Sequence, residues 1–233
     1  MKYLIIGAGG VGATLAVYMY RAGLDISLAL TKRHKELVDQ EGLKYSFWDG
    51  TTDTYKIEAT ETGQLNGDIY DVIFVCVKSG QLPEVLTRLK DLAYKAVIIP
   101  MMNGIGNADI IREELPEAEV GDACVYLGAY KKEYNWIQQD NNGVKIILDK
   151  KTSNADKICE DLRAAGMIVK LSDKIEYDKF LKFFFVSPLA AAQAVYGCSS
   201  GEIFASPEKK EYFRRLSEEL YSCAAVAGLN LPE

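Results

Sequence analysis

Histidine is nearly absent from this chain of 233 residues, which contains only His34. A Ser–His–Asp triad, a Cys–His pair and a histidine-based zinc site each need a histidine beside a second reactive group. A single histidine in a basic segment disfavours all three. The sequence therefore predicts no metal site and no hydrolase of these types.

Cysteine is sparse and has no pattern, since the five residues form no C-x-x-C pair. An odd number of scattered cysteines favours reduced thiols in a cytosol, mostly buried as small hydrophobic side chains. We therefore expect a cytoplasmic protein. The five residues are Cys76, Cys124, Cys159, Cys198 and Cys223.

The sequence also lacks a long apolar run and a surplus of positive charge. No run approaches the ~18 residues that span a bilayer, and a strand pattern begins directly after Met1, so we expect no signal peptide. The net charge of -6 argues against a nucleic-acid partner. The expected partner is a small molecule, with neither membrane nor nucleic acid.

A glycine pattern near the N-terminus is the most informative feature that is present. It lies between a predicted strand at residues 3–6 and a predicted helix at residues 11–21. In that setting Gly7 allows the tight turn, Gly9 lets a pyrophosphate approach the backbone, and Gly12 lets helix and strand pack closely. The alternative is a glycine-rich turn in a domain that has lost its cofactor. The predicted cofactor-binding residues here are Gly7, Ala8, Gly9, Gly10, Val11 and Gly12.

The end of the second predicted strand, residues 26–30, indicates which dinucleotide binds. NAD sites usually place Asp or Glu at this position to hold the ribose hydroxyls. Here Thr31, Lys32 and Arg33 follow the strand, and no carboxylate comes before Glu36. A hydroxyl and two cations suit a 2′-phosphate, so the pattern predicts NADP(H). The alternative is an ordinary solvated basic turn.

Strands and helices alternate over the first 170 residues, which predicts an α/β domain of the Rossmann type. Within it, Asn107 is the predicted N-cap of a helix. The other predicted elements are strands at 71–77, 96–99, 120–129, 136–138, 144–148 and 167–171, and helices at 81–90, 108–115 and 153–165.

Only helices are predicted over residues 171–233, so we expect an all-helical second domain there. A long apolar helix at 176–195 contains Pro188, which should kink or break it. Ser206 is the expected cap of a last helix that ends at Gly228.

Four motifs in order make the chain similar to the ketopantoate reductases, also called 2-dehydropantoate 2-reductases. They are the glycine fingerprint, the segment at 77–81, the segment at 103–107, and Lys179 followed by Ser187-Pro188-Leu189. The family has Asn-Pro-Leu at the last position. The resemblance covers the whole chain. It implies NADPH-dependent reduction of 2-dehydropantoate, in the route to pantothenate and coenzyme A, by a Rossmann domain and a helical domain.

The resemblance also implies roles for particular residues. Lys179 would be the general acid that protonates the ketone oxygen, and Asn103 would orient the reacting groups beside the nicotinamide. Lys78 and Gln81 would lie near the cofactor. Taken alone, Lys179 is equally consistent with a surface lysine on an amphipathic helix, and Asn103 with an Asn-Gly turn.

The chain departs from the family where the substrate would bind. Phe183 and Ser187 stand where the family has two asparagines, on the helix face that carries Lys179. Thr31 stands where the family commonly has arginine. The chain also ends at Glu233, before the family's substrate-binding serine and glutamate, so the helical domain is expected to be incomplete. Either the chain is a fragment or the protein has lost that half of the pocket.

Two functions are consistent with these features. The first is an NADP-dependent oxidoreductase that reduces a 2-oxo acid, either 2-dehydropantoate or a related ketone. The alternative is a family member with weak or no reductase activity that binds NADP(H) as a sensor or interaction module. A homodimer is left open as the oligomeric state.

Overall fold

The computed structural model describes residues 1–65, 70–90 and 96–226. The elements in chain order are β1 (Lys2–Ile6), α1 (Gly10–Arg21), β2 (Asp25–Leu30), α2 (Lys32–Glu41), β3 (Leu43–Ser46), β4 (Thr52–Tyr55), β5 (Ala59–Glu61), β6 (Val72–Val75), α3 (Leu82–Leu89), β7 (Val97–Pro100), α4 (Asn107–Glu114), β8 (Glu119–Val120), β9 (Ala123–Tyr126), β10 (Ala129–Glu133), β11 (Trp136–Gln139), β12 (Lys145–Asp149), α5 (Ala155–Ala164), β13 (Ile168–Ser172), α6 (Ile175–Tyr196), α7 (Ser200–Ala205) and α8 (Pro207–Val226).

A parallel sheet in the order β5-β2-β1-β6-β7-β8 organises the N-terminal part. Every neighbouring pair in it is parallel. This is the strand order of a Rossmann sheet, in which the chain first winds outward in one direction and then returns to continue on the other side of β1. The predicted fold class is therefore confirmed.

Both faces of this sheet are buried, which explains why its strands read as continuous apolar runs. Along β1, Tyr3 and Ile5 belong to one apolar core, whereas Leu4 and Ile6 belong to a second core on the opposite face. The second core also contains apolar side chains of α3 and α4, whereas the first contains those of α1 and α5. Side chains that alternate along a strand thus each meet a helical layer.

A second sheet, in the order β10-β11-β3-β4, covers α1. This sheet and α1 are joined by hydrogen bonds centred on Gln139. Its Oε1 accepts from the hydroxyls of Tyr45, at 3.0 Å, and Tyr18, at 3.1 Å, and the Tyr45 oxygen lies 2.9 Å from Thr14 Oγ1. α1 is consequently buried along most of its length.

A third sheet, in the order β13-β12-β9, packs against α5. The Tyr3 hydroxyl on β1 donates a 2.6 Å hydrogen bond to Asp161 Oδ2 on α5, and Lys157 Nζ lies 2.6 Å from the other carboxylate oxygen. Burial alone would raise the pKa of Asp161, but these two hydrogen bonds outweigh it and hold the pKa below its ordinary value. The paired carboxylate therefore ties the first strand to a helix 158 residues away.

Two compact units divide the chain, residues 1–175 and 176–233. The predicted domain boundary at residue 170 falls inside β13, whereas the two compact units meet after residue 175. The assignment of a cofactor domain and a substrate domain to these parts stays a prediction.

In the second unit, α6 continues through Pro188 for 22 residues, so Pro188 does not break the helix, and the expected kink stays a prediction. Pro188 is buried in this helix, where it removes one backbone donor and crowds the preceding turn. The rings of Phe185, Phe204 and Phe213, from α6, α7 and α8, lie 5.3–6.4 Å apart by centroid. Ser206 precedes α8 and its Oγ accepts from Lys209 N at 3.5 Å, as predicted. The predicted end at Gly228 lies outside the described residues.

Two local predictions are corrected in the first unit, and three of its strands have no counterpart among the predicted elements. The N-cap of α4 is Gly106, in the left-handed region at φ +80°, and Asn107 is the first helical residue. The strand predicted over 120–129 is divided into β8, β9 and the start of β10. The strands β3, β4 and β5 were not predicted. Among the described residues, no helix combines the length and the hydrophobicity needed to cross a bilayer.

Candidate functional site

The winding order of the chain reverses at β1. From β1 the chain adds β2 and β5 on one side, and it then returns to add β6 on the other side. Ligands of open α/β sheets bind outside the carboxyl ends of the strands at such a point. Because all six strands are parallel, the loops after β1, β2, β6 and β7 lie at one edge. Every predicted cofactor-binding residue is in one of these loops or in the helix turn that follows it.

The glycine loop after β1 has the geometry that the fingerprint predicts. Gly7 adopts φ +90°, and a Cβ there would lie 2.9 Å from Val77 Cγ1. A Cβ on Gly12 would overlap the Gly7 carbonyl oxygen and lie 2.9 Å from Cys76 Cβ. A Cβ on Gly9 would meet nothing within 4 Å. Gly7 and Gly12 are therefore required by the protein's own packing, whereas Gly9 faces open space suited to a pyrophosphate.

The first turn of α1 provides the anion-binding element. Ala8 is buried beneath it and Val11 is half-buried in it. The first backbone N–H groups of a helix have no partner within the helix, and the dipole favours an anion there. The turn contains no acidic residue that would compete. These residues fit the phosphates of a dinucleotide.

Gly10 has a constraint that the sequence did not reveal. A Cβ at this position would lie 2.5 Å from the carbonyl oxygen of Ala129 on β10. The β10–β11 hairpin therefore runs directly beside the start of α1. Since β10 follows Gly10 by more than a hundred residues, no local pattern indicates this contact.

The cysteines are all free, in agreement with the prediction of reduced thiols. By residue, Cys124 and Cys159 are buried, Cys76 and Cys198 are half-buried and Cys223 is exposed. The thiol group of Cys76 is itself enclosed, so three of the five thiols are buried, as predicted. Burial raises the pKa of the Cys76 thiol beside the glycine loop, so this group stays protonated and serves as packing.

The segment after β2 is the start of a helix and not a turn. Thr31 is the N-cap residue of α2, its side chain makes no capping hydrogen bond, and Lys32 and Arg33 form the exposed first turn. His34 is buried, at 5% exposure, against the ring of Tyr134. The helix N-terminus and the two cations together favour an anion.

The loops after β6 and β7 are connected by hydrogen bonds. Ser79 Oγ donates to Asn107 Oδ1 at 3.5 Å, and Asn107 Nδ2 donates to the Asn103 carbonyl at 3.2 Å. Gln81 Oε1 accepts from the Lys78 backbone N–H at 3.2 Å. Gln81 therefore shapes its own turn, while the exposed side chains of Lys78 and Asn103 lie at the cofactor edge of the sheet.

In the second unit, α6 carries Lys179, Phe183 and Ser187 at intervals of four residues, which places them on one helix face. Lys179 is buried, at 6% exposure, and its Nζ lies 3.4 Å from Glu176 Oε1. Phe183 packs edge-to-face on Phe180 with centroids 6.2 Å apart, and Phe183 and Ser187 are half-buried. A buried lysine is unusual and excludes the simple surface position considered above.

Sequence reasoning missed the hairpin residues that lie beside the predicted nucleotide site, namely Ala129, Lys131 and Tyr134. The only local signal is a pair of lysines between two tyrosines, at residues 130–134. Within the described parts of the chain, no group of three or more His, Cys, Asp or Glu side chains is arranged to hold a metal ion.

The sheet order and the glycine loop define a Rossmann-type dinucleotide-binding fold. A family profile described as ketopantoate reductase PanE/ApbA matches residues 3–149. The chain belongs to this family, whose members are oxidoreductases that act on a CH–OH group.

Individual relatives agree with this assignment. A 2-dehydropantoate 2-reductase of Pyrococcus horikoshii is 27% identical over 206 residues, covering 87% of this chain and 66% of that protein. A PanE/ApbA family ketopantoate reductase from Ralstonia eutropha superimposes with a TM-score of 0.88 and 26% identity, covering 100% of this chain and 77% of that one. D-mandelate dehydrogenase, solved with NADH and anilino(oxo)acetate, gives a TM-score of 0.90 at 21% identity, covering 99% and 76%. The chain thus spans about two-thirds to three-quarters of the length of these proteins.

Proposed function

We propose that this chain binds NADP(H) and reduces the ketone of a 2-oxo acid, either 2-dehydropantoate or a related compound, in the route to pantothenate and coenzyme A. The observation that carries the proposal is the glycine loop after β1, at the point where the winding order of the sheet reverses. In this loop Gly9 faces open space. Membership of the ketopantoate reductase family supports the reaction. The NADH in the D-mandelate dehydrogenase structure supports a nicotinamide dinucleotide.

NADP(H) is proposed over NAD(H) because of the groups at the end of β2. Thr31 offers a hydroxyl, Lys32 and Arg33 offer cations, and all three are exposed at a helix N-terminus. A 2′-phosphate would bind to these residues, whereas a ribose diol finds no carboxylate acceptor among them.

For the chemical step, the bound nicotinamide would supply the hydride. Negative charge then builds on the ketone oxygen, and a proton donor is needed there. We assign this role to the Lys179 Nζ. Its buried position, with Nζ 3.4 Å from Glu176 Oε1, supports a role beyond that of a surface lysine. Asn103 is proposed to orient the reacting groups through its side-chain amide.

The proposed substrate preference depends on Phe183. An apolar ring where the family has an amide removes a hydrogen-bond partner for a substrate hydroxyl, which costs ~1–3 kcal/mol if that hydroxyl is buried. We therefore expect weak activity with 2-dehydropantoate and better activity with a 2-oxo acid that carries an apolar group. A Phe183→Asn variant should improve the use of 2-dehydropantoate.

Cofactor choice is tested by calorimetric titration with NADPH and NADH. We expect NADPH to bind at least about tenfold more tightly, because a charge-assisted hydrogen bond contributes ~1.5–3 kcal/mol. Replacing both Lys32 and Arg33 by Ala should remove most of this preference. Equal affinities in the unmodified chain would contradict the choice of NADP(H), and a preference that survives the double substitution would show that the phosphate binds elsewhere.

The proton donor is tested with Lys179→Ala, assayed against a panel of 2-oxo acids. We expect kcat to fall by about 10²-fold or more while NADPH affinity stays nearly unchanged. Lys182→Ala, three residues along the same helix, is the matched control. Turnover of Lys179→Ala that equals that of the control would show that Lys179 has no catalytic role.

A further inference from the structure

Three basic side chains from two distant segments converge on the ring of Tyr134, in the turn between β10 and β11. The guanidinium carbon of Arg33 lies 4.9 Å from the ring centroid, and the Lys131 Nζ lies 4.5 Å from it. The His34 ring meets it edge-on with centroids 5.1 Å apart. Tyr134 is 39% exposed, so the cluster is open to solvent.

This cluster has excess positive charge. In the part of the chain that the structure describes, neither Arg33 nor Lys131 forms an ion pair, although Lys35 on the same helix is paired with Asp39. The His34 Nε2 is buried without a hydrogen-bond partner among the described residues. Partial desolvation lowers the pKa of the Lys131 ammonium, although the residue is largely exposed, and burial together with the Lys131 charge lowers the pKa of His34 to about 4. A bound anion would pair with the Arg33 and Lys131 cations, which have no carboxylate partner among the described residues.

The cluster lies where the adenosine end of a dinucleotide is expected. Arg33 is in the first turn of α2, directly after β2, which is the strand end that binds the adenosine ribose in Rossmann sheets. β10 contacts the start of α1 at Gly10 through Ala129, and Lys131 is two residues further along that strand. The hairpin therefore extends from the pyrophosphate loop to the start of α2.

We propose that Lys131 and Tyr134 form the second wall of the 2′-phosphate site, with Lys131 binding the phosphate and Tyr134 holding the guanidinium of Arg33 in place. The two residues determine cofactor specificity and do not take part in proton or hydride transfer. This inference rests on the proposed function, because it concerns the same nucleotide site. The β10–β11 hairpin thereby joins the 2′-phosphate site, although it lies about a hundred residues along the chain from Thr31, Lys32 and Arg33 at the start of α2.

The test compares two lysines that differ by one position. Lys131→Ala removes the cation beside Tyr134, whereas Lys132→Ala removes a cation whose Nζ lies 4.1 Å from the ring of Trp136 instead. The two variants have the same net charge. We expect Lys131→Ala to weaken NADPH binding by about 10-fold or more and NADH binding by less than about twofold. Lys132→Ala should leave both affinities unchanged.

Tyr134 is tested with a graded pair of substitutions. Tyr134→Phe keeps the ring and should retain NADPH affinity within about twofold, while Tyr134→Leu removes the ring and should weaken NADPH selectively by about three- to tenfold. Far-UV circular dichroism and melting temperatures of all variants report whether each is folded. Since Lys131 and Tyr134 are exposed, we expect native spectra.

A second readout does not depend on affinity. His34 is the only histidine, so its ring protons give one identifiable set of NMR signals. NADPH should shift these signals more than NADH does, and Lys131→Ala should reduce the difference.

The outcomes separate this inference from the proposed function. Equal loss of NADPH affinity in Lys131→Ala and Lys132→Ala would indicate a general charge effect and overturn the inference. An NADPH preference that Lys131→Ala leaves intact would overturn it as well, while the proposed function would stand. If the unmodified chain binds neither nucleotide, or both equally, the proposed cofactor fails and the inference fails with it.

Discussion

Gly9, at the N-cap of α1, and Gly12, in its first turn, belong to the same glycine fingerprint but have opposite surroundings. A Cβ on Gly9 meets nothing within 4 Å, whereas a Cβ on Gly12 overlaps the Gly7 carbonyl. Gly9→Ala should therefore keep the melting temperature within a few degrees and weaken dinucleotide binding by about tenfold or more, because the methyl group projects toward the phosphates. Gly12→Ala should lower the free energy of unfolding by about 1–3 kcal/mol.

Thermal melts with and without NADPH, together with calorimetric titration, distinguish the two effects. A Gly9→Ala variant that binds NADPH normally would show that no phosphate approaches this glycine. A Gly12→Ala variant of unchanged stability would show that the loop can relax around a methyl group, and the close packing of α1 on β1 would then not require glycine.

His34 is predicted to make stability depend on pH in a window where few other groups titrate. Its folded-state pKa of about 4 lies below the ordinary value of 6.5 because the ring is buried and Lys131 is near. Between these values the unfolded chain binds a proton that the folded chain does not. Stability should therefore fall as pH falls from about 6.5 toward about 4, by at most ~3 kcal/mol.

The measurement uses the single set of histidine NMR signals for the pKa and urea unfolding at several pH values for the slope. His34→Leu should remove most of the slope above about pH 5, where carboxylates contribute little. A measured pKa near 6.5 would contradict the buried position of His34.

At the scale of elements, the attachment of the second sheet to α1 depends on Gln139. This residue is fully buried and its Oε1 accepts from Tyr18 and Tyr45, while its Nε2 donates to the Asn141 carbonyl at 2.9 Å. Gln139→Leu leaves these groups without their partner and should lower the free energy of unfolding by about 2–4 kcal/mol. Gln138→Leu, at the half-buried neighbour, should cost less than about 1 kcal/mol. Urea unfolding of both variants tests this, and equal stabilities would refute the role of Gln139.

The elements that sequence predicted well are those with a local signal. The glycine loop, β1, β2 and α1 follow one another within 30 residues, and the tasks of Gly7, Gly9 and Gly12 can be deduced from the strand–turn–helix pattern. The hairpin was placed less well, because its pairing partners are non-local: β11 pairs in parallel with β3, which lies about 90 residues earlier. Alternation within a strand does not indicate which strand is its neighbour.

Pro188 shows a different limit of sequence patterns. Its effect on an isolated helix is well known, but α6 continues through it because tertiary packing outweighs local propensity. His34 is similar, since a histidine among three basic residues reads as solvated, and only the contact with Tyr134 buries it.

For the whole molecule, the alternation of strands and helices was enough to predict the Rossmann class, because parallel strands with right-handed crossovers leave few arrangements. The sequence predicts two separate groups of site residues, one for the cofactor and one on α6. The cofactor residues share one sheet edge, which follows from parallel topology, and the α6 residues share one helix face, which follows from their spacing. Their roles, the substrate, the cytoplasmic location and the homodimer stay predictions, because each depends on groups outside a single chain's pattern.

The hydrogen bond between Tyr3 and Asp161 has a consequence for how the protein is made. The first strand emerges from the ribosome 158 residues before its partner on α5. At roughly 5–20 residues per second, that interval lasts about 8–30 s. The strands β10 and β11, which also contact α1, follow it by more than a hundred residues. During synthesis, the side of the glycine-loop helix that these two strands cover therefore stays open for many seconds, and we expect the nascent N-terminal segment to be bound by chaperones in that interval.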